Sequence, residues 1–314
     1  MKFHRINAIV RLTRLPNLVI IALVLYLQRW CIVLPGLQKS GIEPGWTGYA
    51  FIVLGTVLLA ASGYLINDYF DKEIDAVNQP AKAAVLRLML PVTIRKAYVL
   101  VSIAGLVSIA LACYLSGTAV LWPVYLFAAA ILFWYSFRLK KVLILGNLAV
   151  AAASAFTMPA AWLYDLLPLS ELDSFGFPTG NVYQGISENV IIYCLFAFLI
   201  SFSREIIKDI EDIEGDRLYG CRTVPVVYGV PVAKGFALAG FLMIFILLFW
   251  WQADLLSTGQ PGIAFYLAVA LDLPLLWLSV YVIRIRTKRH FHFAGLMAKI
   301  IMVTGILSML GFLF

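Results

Sequence analysis

Two stretches of the chain carry the same run of carboxylates. One reads Asn67-Asp68-Tyr69-Phe70-Asp71-Lys72-Glu73-Ile74-Asp75, the other Lys208-Asp209-Ile210-Glu211-Asp212-Ile213-Glu214-Gly215-Asp216. Both contain D-x-x-D-x-x-x-D, at 68/71/75 and 209/212/216, 141 residues apart. At about 100° per helical residue, the carboxylates of each set fall within about 60° of one another, and Asn67, Asp71 and Asp75 form an i, i+4, i+8 stripe. Like charges so spaced repel by a few tenths of a kcal/mol per pair, which a bound cation offsets. Oxygen sites without Cys or His suit Mg²⁺. That ion keeps several waters and bridges one or two carboxylates to substrate phosphates. The basic residues Arg14, Arg138, Lys140, Arg204, Lys208 and Arg222 would favour such a polyanion. Solvated surface charge accounts for either run alone. It does not account for the matched spacing, or for 10 of the 17 acidic residues falling in segments 67–96 and 204–234.

The elements that must position these runs are membrane helices. Of 314 residues 62% are hydrophobic and 13% charged, and mean hydropathy is +0.92. Soluble domains have roughly 25% charged residues, so soluble, disordered and fibrous classes are excluded. At about 20 residues per crossing, apolar stretches predict nine spans: 15–35, 47–66, 95–116, 119–137, 142–163, 188–205, 232–251, 262–283 and 293–314. The expectation is an all-α polytopic membrane protein, a single domain over 1–314 whose nine transmembrane helices surround a central cavity. Lys and Arg then segregate: 22 of 24 lie in the N-terminus and in segments 67–96, 138–141, 204–234 and 284–299, leaving Arg29 and Lys39 opposite. The positive-inside rule places that side, and the N-terminus, in the cytoplasm, with the C-terminus outside. The location expected is the cell (inner) membrane, with the active site opening to the cytoplasm. Cys31, Cys113, Cys194 and Cys221 form no metal or disulfide pattern. His290 and His292 stand among cations, which disfavours a metal there.

Both acidic runs therefore flank cytoplasmic span ends at the mouth of an apolar bundle. A ligand with a diphosphate head and an apolar tail fits such a site, and an isoprenyl diphosphate is one. The residues resemble the UbiA superfamily of intramembrane prenyltransferases. Asn67-Asp68-x-x-Asp71-x-x-x-Asp75, followed by Val77-Asn78-Gln79-Pro80, resembles its first aspartate-rich motif. Asp212-x-x-x-Asp216, with Gly220, Arg222-Thr223 and Val226-Val227-Tyr228-Gly229, resembles the second. Arg11-Leu-Thr-Arg14-Leu-Pro16-Asn17 and Tyr135-Ser136-x-x-Leu139-Lys140 before Gly146-Asn147 support the match. The family often continues its first motif as NRPxRPLPSG. Here Gln79 replaces the first Arg, and Lys82, Arg87 or Lys140 must take over the diphosphate contacts.

The resemblance implies Mg²⁺-dependent transfer of a prenyl group from a polyprenyl diphosphate, geranylgeranyl diphosphate being the expected donor, to a lipophilic acceptor. Asn67, Asp71 and Asp75 would hold one Mg²⁺ and Asp212 and Asp216 the other, with Asp68 and Asp209 in support. Asp71, Asp212 and Lys140 would be catalytic. Arg14, Asn17, Lys82, Arg138, Lys140, Lys208 and Arg222 would bind substrate. Phe51, Tyr64, Phe133, Trp134, Tyr135 and Phe198 would line the chamber of the allylic cation by cation–π contact. The second motif is similar to the branch that makes digeranylgeranylglyceryl phosphate, and the alternative acceptor is an aromatic quinone precursor. Arg14 with Asn17 would receive the phosphate or carboxylate of either. Asp272, mid-span, is expected to bond Asn17 or a carbonyl freed by Pro274, or to help deprotonate the acceptor. A transporter is the rival class, but transport sites lie near the bilayer midplane. Neither a nucleic-acid partner nor an obligate protein partner is expected.

Overall fold

A computed structural model describes residues 14–38, 47–87, 90–167 and 181–313. Lys2, Arg5, Arg11, Lys39 and most of the Asp165–Glu188 connection lie outside these. Every regular element among the described residues is helical. In chain order they are α1 (Leu15–Gln38), α2 (Thr47–Phe70), α3 (Lys72–Asn78), α4 (Pro80–Arg87), α5 (Pro91–Ser116), α6 (Leu121–Phe137) and α7 (Leu145–Leu166). Then follow α8 (Asn181–Glu211), α9 (Ile213–Leu218), α10 (Val224–Tyr228), α11 (Val230–Ser257), α12 (Pro261–Arg284) and α13 (Lys288–Leu313). Stretches of 23 to 28 residues in α1, α2, α5, α8, α11, α12 and α13 are long and apolar enough to cross a bilayer. Two further apolar helices, α6 of 17 residues and the Ala-rich α7 of 22, pack between them.

Side-chain contacts fix which helix ends meet. Arg14 with Asp68, Lys140 with Asp71, Asn147 with Asp209 and Lys288 with the Asn78 carbonyl gather one end of the bundle. There α1, α7 and α13 begin, and α2, α6 and α8 finish. At the far end Tyr49 donates to the Leu25 carbonyl at 2.7 Å and Tyr164 to the Ala112 carbonyl at 3.4 Å. A buried ion pair, Arg29–Asp165 at 3.0 Å, also ties α1 to α7 there. The Arg29 guanidinium lies 4.2 Å over the Tyr49 ring, and α1 makes a π turn at Arg29–Val33 to present it. Successive long helices thus run in alternate directions, and the first and last described residues lie at opposite ends.

The outer surface carries large apolar side chains such as Phe249, Phe265 and Tyr114. In lipid such surface gives no drive for helix association, so packing and interhelical polar bonds must hold the bundle. Asp272 belongs to that framework. It accepts a 2.7 Å bond from Gln252 at a π turn, Ala268–Asp272. Pro274 offers no N–H to the Ala270 carbonyl four residues back, and the Thr304 hydroxyl reaches that carbonyl at 3.4 Å. Asp272 does not bond Asn17, contrary to one expectation above; Asn17 meets Tyr64 and Lys299 instead.

Candidate active site

Both acidic runs sit where a long helix breaks and resumes. α2 ends at Phe70, and Asp71 (φ −88°, ψ 0°) hands over to α3. α8 ends at Glu211, and Asp212 (φ −94°, ψ 7°) hands over to α9. Four-residue backbone bonds persist through each break: Asp71 to Asn67 at 2.9 Å, Asp75 to Asp71 at 2.7 Å, Asp212 to Lys208 at 2.9 Å and Asp216 to Asp212 at 3.1 Å. The stripes read from the sequence therefore survive, each with a shallow bend at its middle carboxylate.

Asn78 and Gly215 join the two runs. The Asn78 side-chain oxygen accepts the Gly215 N–H at 2.9 Å, and Lys288 caps the Asn78 carbonyl at 3.0 Å. A Cβ at position 215 would lie 2.5 Å from the Asn78 side chain, so α3 and α9 can meet only with glycine there. A second close approach positions Lys140. The 139–144 turn folds back on α7 so tightly that a Cβ at Gly146 would lie 2.7 Å from the Lys140 Cα. Ile144 closes that turn at φ 56°, uncommon for a β-branched residue. The result is a Lys140–Asp71 ion pair.

The first run is neutralised by cations. Lys82, near the start of α4, bridges Asp68 at 2.5 Å and Asp75 at 2.7 Å, and Arg14 adds a 3.4 Å contact to Asp68. Asn67 donates to Asp71 at 2.8 Å. Burial pulls the Lys140 ammonium below the usual lysine range, opposed by Asp71. The second run has no salt bridge to Asp209, Asp212 or Asp216 among the described residues. Asn147 donates to Asp209 at 2.7 Å and Thr223 to Asp216 at 3.2 Å. Burial, then the neighbouring Asp212, pushes the Asp216 carboxyl up to about 6, and burial raises Asp212 as well.

Among the described residues no three His, Cys, Asp or Glu side chains converge as a ready metal cage. Mg²⁺ needs less, since one or two carboxylates, waters and phosphate oxygens complete its shell. Asn67 Oδ1, Asp68 Oδ2 and Asp212 Oδ1 are buried acceptors with no hydrogen-bond partner. A buried acceptor left bare costs about 1–3 kcal/mol, and a cation at each run would satisfy them. The residues fit the ion.

Beside these motifs opens a cavity of about 750 Å³ between α1, α2, α6, α7, α8 and α13. Its mouth is polar, with Arg14, Asn17, Asn67, Arg204, Lys208 and Lys299 among its lining, and its depth is apolar. Tyr64 and Tyr135 line it as expected, but Phe51, Phe133, Trp134 and Phe198 do not. The helical phase explains the difference. On α6 the lining follows Ala128, Ile131, Leu132, Tyr135 and Leu139, leaving Phe133 to stack on Phe137 and Trp134 half-exposed outside. On α8 it follows Tyr193, Ala197, Ser201, Glu205 and Lys208, and Phe198 stacks on Phe202.

Arg138 and Arg222 are exposed, and neither side chain reaches the carboxylates; only the Arg222 backbone joins the site's edge, through the Lys141 carbonyl at 3.0 Å. Of the Arg87 side chain nothing is described. Four residues of the site were given no role from the sequence: Asn78 as the link between motifs, Thr223, Glu205 and Lys299. The last two had a signal, since charge inside an apolar span is costly and marks function. Lys299 was counted with the basic flank, but α13 begins at Lys288 and carries it three turns inward.

The profile of the UbiA prenyltransferase family matches residues 30–299. The chain belongs to that family. Digeranylgeranylglyceryl phosphate synthase of Pyrococcus abyssi is 33% identical over 196 residues, 62% of this chain and 59% of that protein. The chain thus aligns with about three-fifths of the first relatives it matches. The synthase of Thermococcus kodakarensis is 28% identical over 281 residues, 88% of this chain and 90% of its own. A solved digeranylgeranylglyceryl phosphate synthase superposes with a TM-score of 0.63 at 20% identity, covering 99% of both chains. A UbiA homologue of Archaeoglobus fulgidus bound to GPP and Mg²⁺ superposes with a TM-score of 0.51 at 16% identity, over 96% of this chain and 99% of its own. At those identities the likeness is one of fold, the helical bundle of UbiA proteins.

Proposed function

We propose that this chain is a Mg²⁺-dependent intramembrane prenyltransferase that moves a prenyl group, geranylgeranyl by preference, from its diphosphate to the hydroxyl of geranylgeranylglyceryl phosphate. The observation that carries the reading is the pair of acidic helix breaks, locked together by Asn78 and Gly215 at the mouth of an apolar cavity. The relatives are named for that product, and the Archaeoglobus structure holds a prenyl diphosphate with Mg²⁺.

Asn67, Asp71 and Asp75 on one side, and Asp212 and Asp216 on the other, would hold the ions, with Asp68 and Asp209 as their neighbours. Mg²⁺ there would neutralise the diphosphate and make it a leaving group. Lys140 and Lys82 would bind its oxygens by charge-assisted hydrogen bonds, exchanging their carboxylate partners for phosphate, and Lys208 would join them. The apolar depth takes the prenyl tail and keeps water from the allylic cation, and the faces of Tyr64 and Tyr135 at the mouth can stabilise it. Transfer breaks the allylic C–O bond to diphosphate, forms a C–O bond to the acceptor hydroxyl and releases its proton.

The proposed topology has nine crossings, α6 and α7 forming a hairpin whose turn delivers Lys140 to Asp71. With nine crossings 22 of the 24 Lys and Arg lie on the motif side, which the positive-inside rule makes cytoplasmic. The N-terminus then lies in the cytoplasm, the C-terminus outside, and the site opens to the cytoplasmic face of the cell membrane.

Purified protein in detergent, incubated with Mg²⁺ and labelled geranylgeranyl diphosphate, should convert geranylgeranylglyceryl phosphate to the diether and release diphosphate. Asp71→Ala and Asp212→Ala should each abolish this. Product only with 4-hydroxybenzoate or 1,4-dihydroxy-2-naphthoate would overturn the acceptor, and no Mg²⁺-dependent product with any acceptor would overturn the reading.

A further inference from the structure

Three segments on the motif side carry five Lys and Arg each, and they differ in what balances them. Segments 67–96 and 204–234 hold 10 acidic residues between them. Segment 284–299 holds none, and no Asp or Glu occurs anywhere between Leu273 and Phe314. The positive-inside rule accounts for cations on this side, but not for their being left without carboxylates. Arg284 ends α12, and Arg286 and Arg289 flank the start of α13. All three are exposed, and their side chains make no ion pair or hydrogen bond among the described residues. A cation at a helix C-terminus ordinarily binds the last carbonyls. Here Lys234 does so, donating to the Ile283 carbonyl at 3.0 Å and the Ile285 carbonyl at 2.5 Å. At the start of α13 cations are out of place, since a helix N-terminus carries partial positive charge and favours anions. Yet that turn reads Lys288, Arg289, His290 and holds no acidic residue.

Helical phase sets two of the arginines over one groove. On α12, Trp277, Tyr281 and Arg284 follow i, i+4, i+7, and on α13 so do Arg289, Phe293 and Leu296, each set within about 60°. The two stripes touch: Trp277 stacks on Tyr281 at 5.0 Å, while Phe293 meets Tyr281 at 5.7 Å and Trp277 at 6.2 Å, edge to face. Trp277, Phe293, Leu296 and Ile300 are exposed along the outer surface. Arg284 and Arg289 thus stand one turn toward the motif end from an aromatic stack of the kind that marks the membrane–water boundary.

We propose that the α12–α13 groove is a lipid site. It takes the phosphate of an anionic phospholipid between Arg284 and Arg289, with Arg286 beside them, and lays an acyl chain along the apolar stripes. Guanidinium forks suit phosphate oxygens, and the phosphate would also offset the positive end of α13. A zwitterionic headgroup fits worse, because it brings a cation of its own. The groove is separate from the cavity, whose lining from α13 is Lys299, Met302, Ile306 and Met309, on another face. It holds whatever reaction the protein performs.

Native mass spectrometry of the full chain in detergent, titrated with phosphatidylglycerol or phosphatidylcholine of the same acyl chains, tests this by counting retained lipids. Wild type should retain one phosphatidylglycerol at concentrations about tenfold below those phosphatidylcholine needs, as two or three basic residues at a lipid surface supply. Arg284→Gln with Arg289→Gln should bring the two lipids within about twofold of each other. Arg95→Gln with Lys96→Gln, which removes equal charge from another exposed motif-side flank, should keep the preference. Filling the cavity with Mg²⁺ and geranylgeranyl diphosphate should leave the lipid bound, and inorganic phosphate should not displace it. Equal loss in both double variants would reduce the effect to general attraction by a basic surface and overturn the site. Release by geranylgeranyl diphosphate would put the lipid in the cavity, and release by inorganic phosphate would make this a site for a free anion; either result overturns the lipid assignment.

Discussion

The two acidic runs share a spacing and a bend but differ in how their charge is held. At Asp68, Asp71 and Asp75 three cations, Arg14, Lys82 and Lys140, are already in contact. At Asp209, Asp212 and Asp216 the direct partners are neutral, Asn147 and Thr223, and burial raises the Asp212 and Asp216 carboxyls toward neutrality. A carboxylate with a lysine in place must give up that lysine when another cation arrives. A buried carboxylate without one competes for a proton instead. The first run is thus built to exchange lysines between carboxylate and phosphate, and the second to respond to metal and pH.

The comparison breaks most visibly if the runs are interchangeable. Asp71→Asn and Asp212→Asn should each lower kcat/KM by about 10²–10³-fold or more, the usual cost of one electrostatic group at a reacting centre. They should differ in metal response: high Mg²⁺ should partly restore Asp71→Asn, whose neighbours Asp68 and Asp75 keep Lys82, and leave Asp212→Asn unrestored. Titrating Mg²⁺ against rate for both variants checks this.

Lys140→Met sharpens the contrast. It should cost about 10²-fold in kcat/KM for the prenyl diphosphate while leaving the Mg²⁺ requirement unchanged or lower, because Asp71 is freed. An increased Mg²⁺ requirement would assign Lys140 to the metal rather than to phosphate.

pH separates the runs next. With Asp216 pushed up to about 6, its neutral form dominates below that value and is lost above it. Metal binding needs the ionised form, so the Mg²⁺ concentration for half-maximal rate should rise as pH falls below 6, approaching tenfold per unit for one proton. A flat Mg²⁺ requirement between pH 7 and pH 5 contradicts the assignment.

Smaller effects follow from the link between the runs and from the rim. Asn78→Ala leaves the buried Gly215 N–H without its acceptor, at about 1–3 kcal/mol, and should lower Tm and activity together. Arg138→Ala and Arg222→Ala, both exposed, should stay within about twofold, as exposed charges contribute little.

Much of this was legible in the residues. The repeated carboxylate spacing located both motifs, because a helix converts a spacing of three and four into a shared face. The apolar stretches located the long helices, seven of which are long and apolar enough to cross a bilayer among the described residues. The chamber's aromatics were misjudged because Phe133, Trp134 and Phe198 stand one residue off the inward face, where a turn of about 100° points them elsewhere. Arg138 and Arg222 show the same limit: the chain reveals a charge, while its direction depends on the backbone around it. Asn78 meets Gly215 across 137 residues, a contact that no local pattern encodes. Lys299 and Glu205 were readable in principle as charges inside apolar helices.

The central claim is that both runs together hold the metal for one diphosphate. Mn²⁺ substituted for Mg²⁺, with a non-hydrolysable prenyl diphosphate bound, tests it by electron paramagnetic resonance. Two spin-coupled ions are expected in the wild type and a single uncoupled ion in Asp71→Asn and in Asp212→Asn. One ion in the wild type, or a coupled pair that survives either substitution, would contradict it.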